Sequence, residues 1–163
     1  MILPKSAYQF LGIPTFFHGL SYKDTKLVPT KQIAMEASIL RAPTNGTLLV
    51  SGCSAPIVNQ MIEAGKKVVG ISFPELFDAR FSDDTQGYPG GDIVLLYGIG
   101  SEPAVKKEFS SAILQSVMSY YKARDSLLIL ETPLTSANFQ TTYGIAIKNT
   151  VVLTLQEEDA WIA

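Results

Sequence analysis

The chain alternates short apolar blocks with segments whose apolar residues recur at helical spacing. Residues 47–50, 67–71, 93–97, 127–130 and 150–155 form the blocks, rich in Leu, Ile and Val and lacking regular polar alternation. Such strands are covered on both faces, as parallel strands are when helices flank them. Between them, 56–64 reads as a helix stopped at Gly65, and 74–81 as another, followed by a polar, Gly-rich loop through Gly91. A long helix begins near Pro103, with Ser101 as its cap and Val105, Phe109, Ala112, Ile113, Val117 and Tyr120 on its core face. Residues 136–143 form a short helix or turn. Ahead of the first block, Thr30 caps a helix over 31–41, with Ile33, Ala34, Ala37 and Leu40 on one face, ended by Pro43 and Asn45-Gly46.

Strands alternating with helices predict a three-layer α/β sandwich with a largely parallel sheet. Val50, Val69, Leu95 and Ile129 are expected in adjacent buried strands. Residues 1–30 hold three prolines, two glycines and the rings of Tyr8, Phe10, Phe16, Phe17 and Tyr22. They read as an irregular arm that packs on the core by its rings, or that docks on a partner.

Length and charge narrow the function. A chain of 163 residues is most simply one domain with one core. Its formal net charge of -2 argues against a dedicated polybasic nucleic-acid binder. Cys53 is the only cysteine, so no intramolecular disulfide can form and a reducing cytoplasm fits. No segment is apolar and long enough for a bilayer span, and residues 1–5 lack the pattern of a signal peptide. His18, the only histidine, has no partners for a catalytic triad or a zinc site and reads as packed or exposed. Cys53 follows a strand and reads as a buried, inert thiol.

Several stretches carry a likeness to a known family. Gly46-Thr47-Leu48-Leu49-Val50-Ser51-Gly52 looks like a strand leading into a phosphate loop. The run Ala64-Gly65-Lys66-Lys67-Val68-Val69-Gly70-Ile71-Ser72-Phe73-Pro74-Glu75-Leu76-Phe77 looks like a second strand and the helix after it. Residues 92–103 look like a third strand and its turn, Tyr120-Tyr121-Lys122-Ala123-Arg124 like the end of the helix before the fourth, and 151–159 like a closing strand with an acidic turn. In their order, from about Tyr8 onward, these resemble the DnaC/IstB group of AAA+ helicase-loader ATPases. The resemblance implies a P-loop-NTPase-like fold, a degenerate AAA+ core, and a role in DNA replication or recombination.

The nucleotide-handling positions depart from that family. A phosphate loop needs G-x-x-x-x-G-K-[ST], whose glycines turn N–H groups to phosphate and whose lysine neutralises charge. Here the stretch is Gly52-Cys53-Ser54-Ala55-Pro56-Ile57-Val58-Asn59, with no lysine and no second glycine. Loss of that lysine removes a charge-assisted contact of roughly 1.5–3 kcal/mol. Tyr97-Gly98 stands where the family carries two acids, and neither Asp92 nor Glu102 is well placed to substitute. Glu131-Thr132-Pro133 falls at sensor 1, where a carboxylate repels γ-phosphate. Near 145–149, where the family places arginines, only Lys148 occurs, and lysine is not equivalent at a bidentate phosphate site.

These departures predict a protein that is not an enzyme and holds no cofactor and no metal. The expected function is a helicase-loader-like accessory or inhibitory factor acting through contacts with a helicase, a loader or its own copies. The candidate protein interface is Tyr8, Phe10, Phe16 and Phe17. Single-stranded DNA is the second candidate partner, through Lys106, Lys107, Lys122 and Arg124. The alternative is a Rossmann-like small-molecule enzyme of methyltransferase or dehydrogenase type, because 48–54 followed by 64–71 also looks like a βαβ unit. That unit wants further glycines and an acid where Ser72 stands.

Overall fold

The computed structural model describes residues 3–40, 46–81, 88–102 and 107–156. In chain order the elements are α1 (Lys5–Phe10), 3₁₀ turns at Thr15–Phe17 and Tyr22–Asp24, α2 (Pro29–Leu40), β1 (Gly46–Gly52), α3 (Ala55–Glu63), β2 (Val68–Ser72), α4 (Phe73–Phe81), β3 (Ile93–Tyr97), α5 (Lys107–Lys122), β4 (Leu127–Thr132), α6 (Ser136–Tyr143) and β5 (Asn149–Leu153).

The strands form one sheet in the order β2-β3-β4-β1-β5. Every neighbouring pair is parallel. Leu95 is in register with Ile129, which is in register with Leu48 two residues before Val50. Val69, Leu95, Ile129 and Val50 therefore lie on four successive strands, all buried, as expected.

Alternate strand residues feed two cores, which makes the three layers. Leu48, Val50, Leu95 and Ile129 meet α3 and the N-terminal arm through Ile57, Val58, Tyr8, Ile13 and Phe17. Leu49, Val94, Leu96, Leu128 and Leu130 meet α4, α5 and α6 through Phe73, Phe77, Leu114, Val117, Phe139 and Tyr143. Among the described residues, no helix is long and apolar enough to cross a membrane.

The arm differs from the expectation of irregular chain: it is a helix and two 3₁₀ turns. Asn59 of α3 holds it. The Tyr8 hydroxyl donates to Asn59 Oδ1, and Asn59 Nδ2 donates to the carbonyls of Phe17 and Leu20 at 2.7 Å each. The arm begins at one sheet edge, where Gly70 N–H donates to Leu11 O at 2.8 Å. Gly12 approaches so closely there that a Cβ would lie 2.3 Å from Gly70 O, and its φ is +76°. The arm ends at the opposite edge, where Lys26 N–H donates to Thr154 O at 2.8 Å.

The expectations for two helices are corrected. α2 starts at Pro29, so Thr30 lies inside it and is not the cap. Its inward residues are Ile39 and Met35, while Ile33 and Ala34 face out. The segment carries two overlapping apolar faces, and helical spacing alone does not choose between them. On α5, Ala112 is exposed, and Ser110, Ile113, Leu114, Val117 and Tyr121 are buried. The expected start of that helix near Pro103 and its core residue Val105 lie outside the described residues, as do Pro43 and Asn45. α6 is a full helix, with Thr135 Oγ1 accepting from Asn138 N–H at 3.2 Å. β5 ends at Leu153, two residues before the predicted end, because its partner β1 ends opposite it at Gly52 and turns into α3.

Candidate functional site

In an open parallel sheet the carboxyl ends of the strands make the natural ligand crevice. Here β1 runs out through Gly52, Cys53 and Ser54 into α3 without a wide loop. Cys53 N–H donates to Leu153 O at 2.8 Å, which ties the turn to β5. Gly52 has φ +119°, and a Cβ there would lie 1.9 Å from Leu153 O, so only glycine passes.

The start of α3 concentrates unpaired N–H groups and positive dipole, the usual seat of an anion. The protein supplies its own. Glu131, next to the last residue of β4, accepts from Ser54 N–H at 2.8 Å and from Ser54 Oγ at 2.6 Å, both on Oε2. Burial raises the Glu131 carboxyl above its ordinary range, and the two Ser54 bonds pull the other way. Pro56 removes one further donor from the first turn.

The positions that the phosphate-loop pattern would give to the second glycine, the lysine and the hydroxyl are Ile57, Val58 and Asn59. Ile57 and Val58 are fully buried in the core, and Asn59 is spent on the arm. Tyr97, where an acid would hold Mg²⁺, packs at the core margin. Burial pushes its hydroxyl up, and Glu75 and Glu131 push it further. Glu102 is engaged elsewhere: Oε1 accepts from Gly100 N–H at 2.7 Å and Oε2 from the Tyr143 hydroxyl at 2.6 Å. Thr132 Oγ1 donates to Ile99 O at 2.8 Å inside the protein.

What remains is a cleft of about 670 Å³ bounded by Phe16, Cys53, Glu131, Pro133, Thr135 and Val152. Its described lining holds no Lys, Arg or His, and its charge is that of Glu131. Lys148 is exposed and is not part of that lining. The cleft therefore offers a polyanion no counter-charge. At the end of β2, where the dinucleotide-binding pattern has an acid, stands Ser72, whose Oγ accepts from Glu75 N–H at 3.4 Å. Among the described residues, no three His, Cys, Asp or Glu gather as a metal site.

The candidate interface residues separate. Tyr8 and Phe17 are buried, whereas Phe10 is 92% and Phe16 63% exposed. Phe16 packs edge-on against Phe17, and His18 lies edge-on to Tyr8, so the arm is both packed and partly presented. Of the basic set, Lys106 lies outside the described residues, and α5 begins with Lys107. Lys122 and Arg124 are exposed where α5 leads into β4, at the starting ends of the strands and away from the cleft. The Arg124 guanidinium sits 3.5 Å above the Tyr120 ring and donates to Tyr120 O at 3.1 Å. Tyr88, Tyr120 and Tyr121 form an aromatic group beneath it, signalled in sequence only by the Tyr120-Tyr121 pair. The Ser54–Glu131 contact and the Asn59 anchor were not read from sequence. A serine before a helix and a carboxylate at the end of a buried strand were the available signals.

No protein-family model matches the sequence, and no curated protein matches it. Solved structures do. A DNA replication initiation factor is 12% identical with a TM-score of 0.54, covering 88% of this chain and 52% of that one. Replication initiator DnaA bound to AMPPCP and single-stranded DNA is 12% identical with a TM-score of 0.54, covering 83% and 50%. A candidate primosome component from Streptococcus pyogenes serotype M3 is 13% identical with a TM-score of 0.53, covering 88% and 92%. The chain thus spans about half the length of the first two. The α/β sandwich with a parallel sheet is the fold this chain shares with these solved structures, and the resemblance drawn from sequence holds at the level of fold.

Proposed function

We propose that this chain is a non-catalytic, helicase-loader-like protein that works through protein contacts, as an accessory or inhibitory factor in DNA replication or recombination. One observation carries the reading. The helix N-terminus that would receive a nucleotide phosphate is capped by the chain's own Glu131 through Ser54. A second anion brought there would meet a like charge in a partly buried place, without a lysine to offset it. Such a fold needs no nucleotide to complete it, and its use then lies on its surface. Phe10 and Phe16 supply the exposed aromatic groups that anchor protein interfaces. The structural neighbours named for replication initiation and the primosome support the process assigned.

The competing partner is single-stranded DNA, and one titration separates the two. Labelled single strands are added to the parent protein and to a Lys122→Glu/Arg124→Glu variant at low and physiological salt. The protein-contact reading predicts no binding by either. Tight binding that weakens steeply with salt and vanishes in the variant would replace it with a DNA-binding role.

A further inference from the structure

The sheet has two edges, and the arm guards parts of both. At β2, Gly70 N–H is taken by Leu11 O. Beyond β5, Thr25 bridges Leu155 in antiparallel sense, Lys26 N–H donates to Thr154 O, and Gln156 N–H donates to Asp24 O, the two bonds at 2.8 Å each. The chain then turns away into α2 at Pro29. β5 itself pairs with β1 on its inner side, and among the described residues no strand pairs its outer side.

The direction of the free backbone groups follows from alternation along a strand. Leu153 O points inward, to Cys53 N–H, while Thr154 and Gln156 bond outward, to the arm. Thr150 and Val152 therefore turn both N–H and C=O outward. Their side chains are also exposed, Val152 by 65%. From Asn149 to Gln156 the sequence has no charge and no proline, the devices by which edges usually resist pairing.

We propose that this edge is a self-association surface, on which a second copy of the chain adds its own β5 in antiparallel sense to make a two-fold dimer with one continuous sheet. The symmetry of the free groups argues for a second copy. Centred on Val151, the pairing sets Thr150 opposite the second copy's Val152, and the reverse. Each such pair exchanges two hydrogen bonds between groups that already point outward. Pairing then stops at Leu153, where each copy's own arm takes over. A register centred on Val152 would set Thr150 against Thr154, whose carbonyl is already bonded to Lys26. Facing Thr150 and Val152 side chains add β-branched cross-strand contacts. The inference rests on the sheet edge alone, so it stands or falls separately from the reading of the nucleotide seat.

Sedimentation velocity of the full chain, from about 1 to 100 µM, tests it beside Val152→Lys and Thr150→Pro. Both changes spare the bonds to β1. The parent should pass from monomer to dimer as concentration rises, and each variant should weaken the dimer at least about tenfold, with an unchanged circular-dichroism spectrum. A parent that stays monomeric throughout, including one that captures an extended foreign peptide at this edge, would overturn the proposal. So would a dimer that survives both substitutions. Should the variants fail to fold, a Val151→Cys/Cys53→Ser chain decides. Directly opposed residues of a non-hydrogen-bonded pair lie about 4.5 Å apart, within disulfide reach. Mild oxidation should join two copies through position 151 and leave a Thr141→Cys/Cys53→Ser control unjoined. No preference for position 151 would overturn the register and the proposal with it.

Discussion

Glu131 Oε2 accepts both the backbone N–H and the hydroxyl of Ser54, joining the end of β4 to the N-cap of α3 across 77 residues of sequence. A carboxylate at that point does for the helix what a bound anion would do: it takes an unpaired donor and faces the positive end of the dipole. The same bonds hold the turn after β1 closed, since Cys53 N–H is already on Leu153 O. Fold and anion seat are thereby completed within one chain.

Replacing Glu131 with Ala should leave the Ser54 N–H and hydroxyl without their partner and cost about 1–3 kcal/mol of stability. Replacement with Gln keeps an acceptor oxygen and should cost less than Ala. Urea unfolding of the three proteins side by side checks the order; an Ala variant as stable as the parent would show that the contact contributes nothing.

The raised Glu131 pKa also fixes the sign of a pH effect. The folded chain holds this proton more tightly than the unfolded chain, whose carboxyl titrates near the ordinary 4.5. Its contribution is therefore fully present below that value and is lost as pH rises through the higher folded value. Stability measured by urea unfolding across that window should carry a downward component with rising pH that Glu131→Gln removes. A parent and a Gln variant with the same slope would contradict the assignment.

The arm should detach first when its anchor is removed. Asn59→Ala strands the Tyr8 hydroxyl and two carbonyls that Asn59 now satisfies, those of Phe17 and Leu20. The expected loss is about 2–4 kcal/mol, with faster proteolysis within residues 3–28 than in the sheet. Uniform protease resistance would mean that the arm is held by its rings alone.

Leu95 lies fully buried on β3 between β2 and β4. Leu95→Ala should destabilise by about 2–5 kcal/mol, the transfer of the side chain plus the cavity left behind. A loss below about 1 kcal/mol would show that the centre of the sheet is not packed as described.

The strands were legible because continuous Leu, Ile and Val runs such as 93–97 have one ready explanation, burial on both faces. The arm was not. Residues 3–28 lack a repeating period, and what orders them is Asn59, far along the chain and silent by itself. α2 shows another limit, since Ile33 and Met35 gave two apolar faces and only packing chose the second. At the site, the missing lysine and the poorly placed carboxylate of Glu131 were visible in sequence. That this carboxylate would turn onto Ser54 was not, because the pairing exists only once β4 lies beside β1.

Calorimetric titration of the parent protein with ATP·Mg²⁺ is the most direct test of a seat closed by its own carboxylate. No heat of binding is expected up to about 1 mM nucleotide, and no stabilisation of the fold at that concentration. Binding with a Kd of about 1–10 µM would contradict it.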